Sequence, residues 1–200
     1  PENIFHKQVS IPDFYHGDPE KKKGPAGGWG MIQEIHTPGK GVMKANVPFG
    51  LKNAAAFASE FMLLLLCIAE DMPQHSNRVY IDITSRDAFG MPALRVYHRY
   101  CARDLAARDA LQSAAKRILV KAGALPVYSF PIDTFSHAIG TCRFGTDRAT
   151  SVLDPECRVR GIKNLYVTDA SVMPSGGSVN PSLTIAANAL RVSAMLAGKP

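Results

Sequence analysis

Histidine and asparagine are residue types that can move a proton and hold a polarised oxygen, and His137 and Asn180 are candidates in those terms. A neutral imidazole accepts a proton near physiological pH. A carboxamide can orient a hydroxyl and stabilise charge developing on it. Each residue also has a plain structural use. A lone histidine is more commonly a hydrogen-bonded residue at a loop corner, and Asn180, standing just before Pro181, would make a good helix N-cap. Asp169 closes a short apolar run, where it can turn the chain or face a ligand beyond a strand end. Gly176 and Gly177 permit close backbone approach or a simple flexible turn. Ser175 and Ser178 flank them, and a hydrolase using one of these serines with His137 is a rival reading. The G-x-S-x-G elbow that would present such a serine is absent, because Gly176-Gly177-Ser178-Val179-Asn180 lacks the final glycine. Cys67, Cys101, Cys142 and Cys157 form no CxxC pair and have no histidine at zinc-finger spacing, so no metal site is expected. Isolated buried thiols are favoured over a Cys142–Cys157 disulfide. Arg143 and Arg158 could pair with carboxylates and are assigned no catalysis, and His36, His75 and His98 are expected to be surface or packing residues.

Positioning these groups takes ordered elements. Residues 164–168 have an apolar centre, Leu165-Tyr166-Val167, and read as a short buried strand. A loop with Pro174, Gly176 and Gly177 follows. A helix then opens at Pro181, continues to Ala197 and stops at Gly198, with proline near its start and glycine past its end. Strand, glycine-rich loop and helix is the layout of a nucleotide-binding α/β layer. Upstream, Leu111, Ala115, Ile118 and Ala122 recur at helical spacing in a helix from about Arg103 to Ala122, with Gly123 at its C-terminal cap. Its other face carries Arg108, Gln112, Lys116 and Lys121. Val79, Ile81 and Ile83 alternate with polar residues, as do Leu94, Val96 and His98, predicting an antiparallel strand pair around a turn that contains Gly90. Met31 to His36 alternates loosely, as a strand. Ala54 to Glu70 reads as a buried or amphipathic helix, short of the ~20 apolar residues needed to cross a bilayer.

The 200 residues, 46% hydrophobic and 20% charged, suffice for one large domain or two small ones. The net charge of +6, from 23 Lys+Arg against 17 Asp+Glu, suits an anionic cofactor or substrate and is no nucleic-acid signature. Lys21-Lys22-Lys23, followed by Gly24-Pro25, is expected to be a solvated loop. No signal-like segment opens the sequence at Pro1.

Three stretches carry a resemblance. The first is His137-Ala138-Ile139-Gly140-Thr141-Cys142-Arg143-Phe144-Gly145, and the second runs from Val152-Leu153-Asp154-Pro155 to Gly161. The third is Asn164-Leu165-Tyr166-Val167-Thr168-Asp169-Ala170-Ser171-Val172-Met173-Pro174, continuing to Asn180-Pro181-Ser182-Leu183-Thr184. In this order they resemble the C-terminal signature of the glucose–methanol–choline (GMC) oxidoreductases. The similarity is dense from His137 to Leu196, weaker back to about Asn77, and loose before residue 70. Phe144 stands where the family usually has methionine, an equally bulky apolar side chain.

The resemblance implies an α/β plus α+β fold. Residues 1–150 would be an antiparallel-sheet substrate-binding domain, and residues 151–200 the last strand and helix of a Rossmann-like FAD-binding domain. It implies an FAD-dependent enzyme that takes a hydride from an alcohol, polyol or sugar, with oxygen, a quinone or a cytochrome as electron acceptor. His137 would be the base and Asn180 the second active-site residue. Asp169, Ala170, Asn180, Pro181 and Ser182 would contact the cofactor, and the helix N-terminus at Pro181 would face the flavin pyrimidine edge. The family's G-x-G-x-x-G turn has no counterpart here, since Gly27-Gly28-Trp29-Gly30 lacks the spacing. That turn is therefore expected to lie outside these residues. A non-catalytic remnant serving as an interaction module is the alternative that its absence favours; retention of both His137 and Asn180 argues against it.

Overall fold

The computed structural model describes residues 9–17, 28–130 and 137–198. The basic run Lys21-Lys22-Lys23, with Gly24-Pro25 and Gly27, lies outside the described residues. In chain order the elements are β1 (Ser10–Ile11), β2 (Gly30–Ile35), α1 (Lys40–Ala45), α2 (Lys52–Ala58), β3 (Leu64–Ala69), β4 (Arg78–Arg86), β5 (Pro92–Tyr97), α3 (Ala102–Lys121) and α4 (Ser182–Leu196). Short 3-10 turns lie at Phe49–Leu51, Ser59–Phe61 and Ala170–Val172. The chain divides into two compact units, one of residues 1–69 with 107–129, the other of residues 70–106 with 130–200.

In the first unit, β1, β2 and β3 form an antiparallel sheet in that order. Ile32 on β2 and Leu111, Ala114 and Ala115 on α3 close a core with Phe14 and Trp29. The strand at Met31 to His36 is thus present as β2, and the apolar stripe of α3 faces the core as its spacing predicts. Gly123, with φ +86°, lies just past that helix in the left-handed conformation of a C-terminal cap. Gly30 starts β2 with φ +141°, and a Cβ there would collide with the Ile68 carbonyl. It is a strand glycine with another backbone lying against it, not part of a dinucleotide turn.

The helix expected from Ala54 to Glu70 is corrected here. Helix α2 ends at Ala58, a single 3-10 turn follows, and Met62 is already extended. Residues 64–69 are strand β3, paired along its whole length with β2, from Gly30↔Ala69 to Ile35↔Leu64. The run Leu63-Leu64-Leu65-Leu66-Cys67-Ile68 has no polar interruption and fits a buried strand as well as a helix. The open edge of β2, with its unpaired backbone groups, decides the matter.

In the second unit, β4 and β5 form the expected antiparallel pair, with Val79 opposite Val96 and Ile81 opposite Leu94. The alternation predicts a half-buried strand, yet Val79, Ile81, Ile83, Leu94 and Val96 are all exposed. The other face is polar: Arg95 pairs with Asp82 at 3.0 Å, and Arg78 lies over the rings of Tyr80 and Tyr97. The strand expected at residues 164–168 is also corrected. Tyr166 makes one isolated bridge, to Arg158, and the neighbouring residues join no ladder among the described residues. An apolar run becomes a strand only where a second backbone lies alongside it. Helix α4 is present, with Gly198 (φ +62°) past its end. No described helix is long and apolar enough to cross a membrane.

Candidate functional site

The three sequence stretches fold on one another through backbone hydrogen bonds rather than a regular sheet. The Cys142 and Phe144 N–H groups donate to the Ser171 and Val172 carbonyls at 3.0 and 3.2 Å, tying the segment after His137 to the one after Asp169. Leu153 donates to Arg143 (3.1 Å), Arg160 to Val152 (3.1 Å), Val159 to Leu165 (2.8 Å) and Val167 to Cys157 (3.0 Å). A small core of Leu153, Cys157, Val172 and Val192 lies inside this knot. Arg160 locks it from one side, its guanidinium donating to the carbonyls of Gly145 (2.6 Å), Thr146 (3.2 Å) and Ser151 (3.2 Å). Gly140 (φ +80°) lies so close to Pro73 that a Cβ would overlap that ring. The chain three residues beyond His137 is held tightly by this contact.

His137 and Asn180 are both half-buried. Asp169 is exposed, and its carboxylate accepts the Ser171 N–H at 2.8 Å, so it makes the turn that one of its two readings allowed. Ala170 opens the 3-10 turn behind it. Pro181, itself buried, holds the N-cap position of α4, and Ser182 is the helix's first residue. The helix has no side-chain cap from its N-cap residue and no acidic residue in its first turn. Its leading N–H groups and dipole therefore offer partial positive charge that no carboxylate of its own offsets. Between the first turns of α4 and the 169–174 turn lies an apolar cavity of about 170 Å³, lined by Phe144, Asp169, Met173, Thr184, Ile185 and Asn188, among others.

In the sequence Ser178 stands only as a rival hydrolase nucleophile, and nothing there marks its backbone conformation. It has φ +56°, is 1% exposed, and its hydroxyl has no hydrogen-bond partner. A serine in a left-handed conformation with a buried, unpaired hydroxyl is uncommon and tends to occur at functional sites. The Ser175 hydroxyl donates to Glu70 at 3.0 Å. Among the described residues neither serine is hydrogen-bonded to an imidazole, which disfavours the hydrolase reading.

Arg158 pairs with Asp154 at 3.1 Å, whereas Arg143 reaches the Thr150 carbonyl rather than a carboxylate. All four cysteines are free, so Cys142 and Cys157 are not bridged. Cys157 is buried, with the Asn188 amide and Arg191 guanidinium each 3.5 Å from its sulfur. Among the described residues no cluster of His, Cys, Asp or Glu could hold a metal ion.

Against known proteins, residues 73–189 match the family model described as GMC oxidoreductase. The chain belongs to the GMC oxidoreductase family. It is 40% identical over 133 residues to 6'''-hydroxyparomomycin C oxidase of Streptomyces lividus, covering 65% of this chain and 24% of that protein. It is 39% identical over 134 residues to paromamine 6'-oxidase of Streptomyces fradiae, 66% of this chain and 25% of that protein. With 2-methyl-1,2-propanediol dehydrogenase of Mycolicibacterium austroafricanum it shares 30% identity over 191 residues, 90% of this chain and 34% of that protein. That last similarity extends into the first 70 residues, where the sequence motifs resemble the family only loosely. The chain spans about a quarter to a third of the length of these curated relatives.

Proposed function

We propose that this chain is the C-terminal part of an FAD-dependent oxidoreductase acting on the CH–OH group of an alcohol, polyol or sugar. The observation that carries the reading is the α4 N-terminus, which has no acidic residue in its first turn and lies beside the 169–174 turn. That turn is hydrogen-bonded to the segment following His137. These residues fit one portion of the cofactor. The helix end suits an electron-rich ring edge.

In this reading residues 151–200 belong to a Rossmann-like FAD domain and residues 1–150 to the substrate domain. Asp169, Ala170, Asn180, Pro181 and Ser182 hold the cofactor. Bound flavin supplies the hydride acceptor, and the protein supplies orientation and proton transfer. His137 takes the hydroxyl proton as the carbinol C–H bond breaks, leaving a carbonyl. Asn180 holds the substrate oxygen and stabilises charge that builds on it. The relatives' names, a hydroxyparomomycin oxidase and a propanediol dehydrogenase among them, support a hydroxyl-bearing substrate. When bound, the flavin would pass its electrons to oxygen, a quinone or a cytochrome.

The test is anaerobic flavin bleaching of the full-length, flavin-loaded protein by a panel of alcohols, polyols and sugars. His137→Ala should slow bleaching by about 10²–10⁴-fold while the protein stays yellow. Bleaching of that variant at the parental rate would remove His137 from the mechanism.

A further inference from the structure

The loop that leads to Asn180 is anchored by groups that the catalytic reading does not use. Glu70, at the end of β3, is largely buried, its side chain 14% exposed. Arg103, in the first turn of α3, donates to both the Glu70 carbonyl (2.9 Å) and its Oε2 (2.8 Å). That first turn is itself fixed, because the Cys101 N–H donates to Asp104 Oδ2 at 3.1 Å, one half of a capping box. The other Glu70 oxygen, Oε1, accepts the Ser175 hydroxyl at 3.0 Å across 105 residues of sequence. One carboxylate thus joins the start of α3 to the loop.

A second bond lies beside the first: the Gly176 N–H donates to the Asp71 carbonyl at 3.0 Å. A Cβ at Gly176 would strike the Asp71 carboxylate, so the loop lies flat on residues 70–71. Beyond this anchor the chain takes two successive left-handed residues, Gly177 (φ +62°) and Ser178 (φ +56°), and enters α4 at Pro181. A serine keeps that conformation only where its surroundings over-determine it. The Glu70–Ser175 and Asp71–Gly176 bonds provide that constraint on one side and the helix provides it on the other. Asn180 lies between them.

We infer that Glu70 is a positioning residue: clamped by Arg103, its carboxylate holds Ser175 and thereby fixes the turn that aims Asn180 at the substrate oxygen. The inference rests on the function proposed above. Small misplacement of an orienting group lowers the rate of the chemical step more than it weakens substrate binding.

The experiment uses the full-length, flavin-loaded protein and the alcohol that bleaches it fastest. Ser175→Ala removes the link yet leaves the Glu70–Arg103 pair intact. It should lower the limiting rate of flavin reduction by about tenfold, the equivalent of one charge-assisted hydrogen bond. KM, flavin content and melting temperature should stay near parental values. Ser175→Thr, which restores a hydroxyl, should recover most of the rate. Ser175→Ala working at the parental rate would overturn the inference, and so would a loss of rate that only follows a loss of flavin or of melting temperature. If no alcohol reduces the parent, the proposed function fails and the positioning role falls with it. A reducible parent with an unaffected Ser175→Ala variant sinks the positioning role alone.

Discussion

The sheet-and-helix layer around Ile32 and the loop knot around Leu153 are held together by different means. In the layer, β2 and β3 repeat one ladder for six residues, and the fully buried side chains Ile32, Leu111 and Ala114 meet in a contiguous apolar core. In the knot the core is smaller, and order comes from hydrogen bonds between segments that are neither strand nor helix. Apolar packing is non-directional and tolerates volume-conserving exchange. Hydrogen-bonded loops fix directions, and directions are what a site needs. The comparison teaches that the layer should respond to lost volume and the knot to lost donors.

The largest expected effect tests the layer. Leu111→Ala empties the centre of its core and should cost about 2–5 kcal/mol, whereas Leu111→Met should cost under about 1.5 kcal/mol. Denaturant unfolding of both variants measures the difference. Equal losses would mean that shape, not volume, governs this region. The next effect tests the knot. Arg160→Ala removes donors to three carbonyls and should cost about 1.5–3 kcal/mol. Arg160→Lys should recover little of it, because an ammonium cannot reproduce a planar fork aimed at several oxygens. Full recovery by lysine would show that charge alone matters there, and the contrast between the two regions would weaken.

The same contrast decides what the sequence disclosed. Helix α3 and the β4–β5 pair were legible because one period repeats over many residues, and α4 because proline and glycine mark its ends. Strand β3 was not, because Leu63 to Ile68 carries no periodicity and its partner strand lies some 30 residues upstream. The run at 164–168 misleads for the same reason: an apolar run does not say what lies beside it, and here Leu165 is left exposed. In the candidate site, His137, Asp169 and Asn180 are candidates because of the strings around them. The Asx-type turn at Asp169 was foreseen as one of two uses. The left-handed backbone of Ser178 and the role of Glu70 could not be found, since a positive φ at serine and a contact across 105 residues leave no local trace.

The smallest effect sets a half-buried ionisable group of one unit against that of the other. Burial in the layer pushes the Cys67 thiol up to about 11 from 9.0, which keeps it neutral and costs nothing at neutral pH. Burial beside Gly176, with the Asp104 carboxylate nearby, raises Asp71 above its ordinary 3.8, so there it is the charged form that the surroundings disfavour. A folded-state pKa above the unfolded one means that the native state favours the bound proton. The contribution to stability is full below about 3.9 and is lost as pH rises through the folded value. Asp71→Asn keeps the volume and the backbone carbonyl that Gly176 uses. It should therefore match the parent near pH 3 and be the more stable of the two at pH 7. Unfolding midpoints at the two pH values provide the measurement. A variant less stable at pH 7 than the parent would show that the Asp71 charge is stabilised by its surroundings, and that the loop knot, like the layer, places its titratable groups without cost.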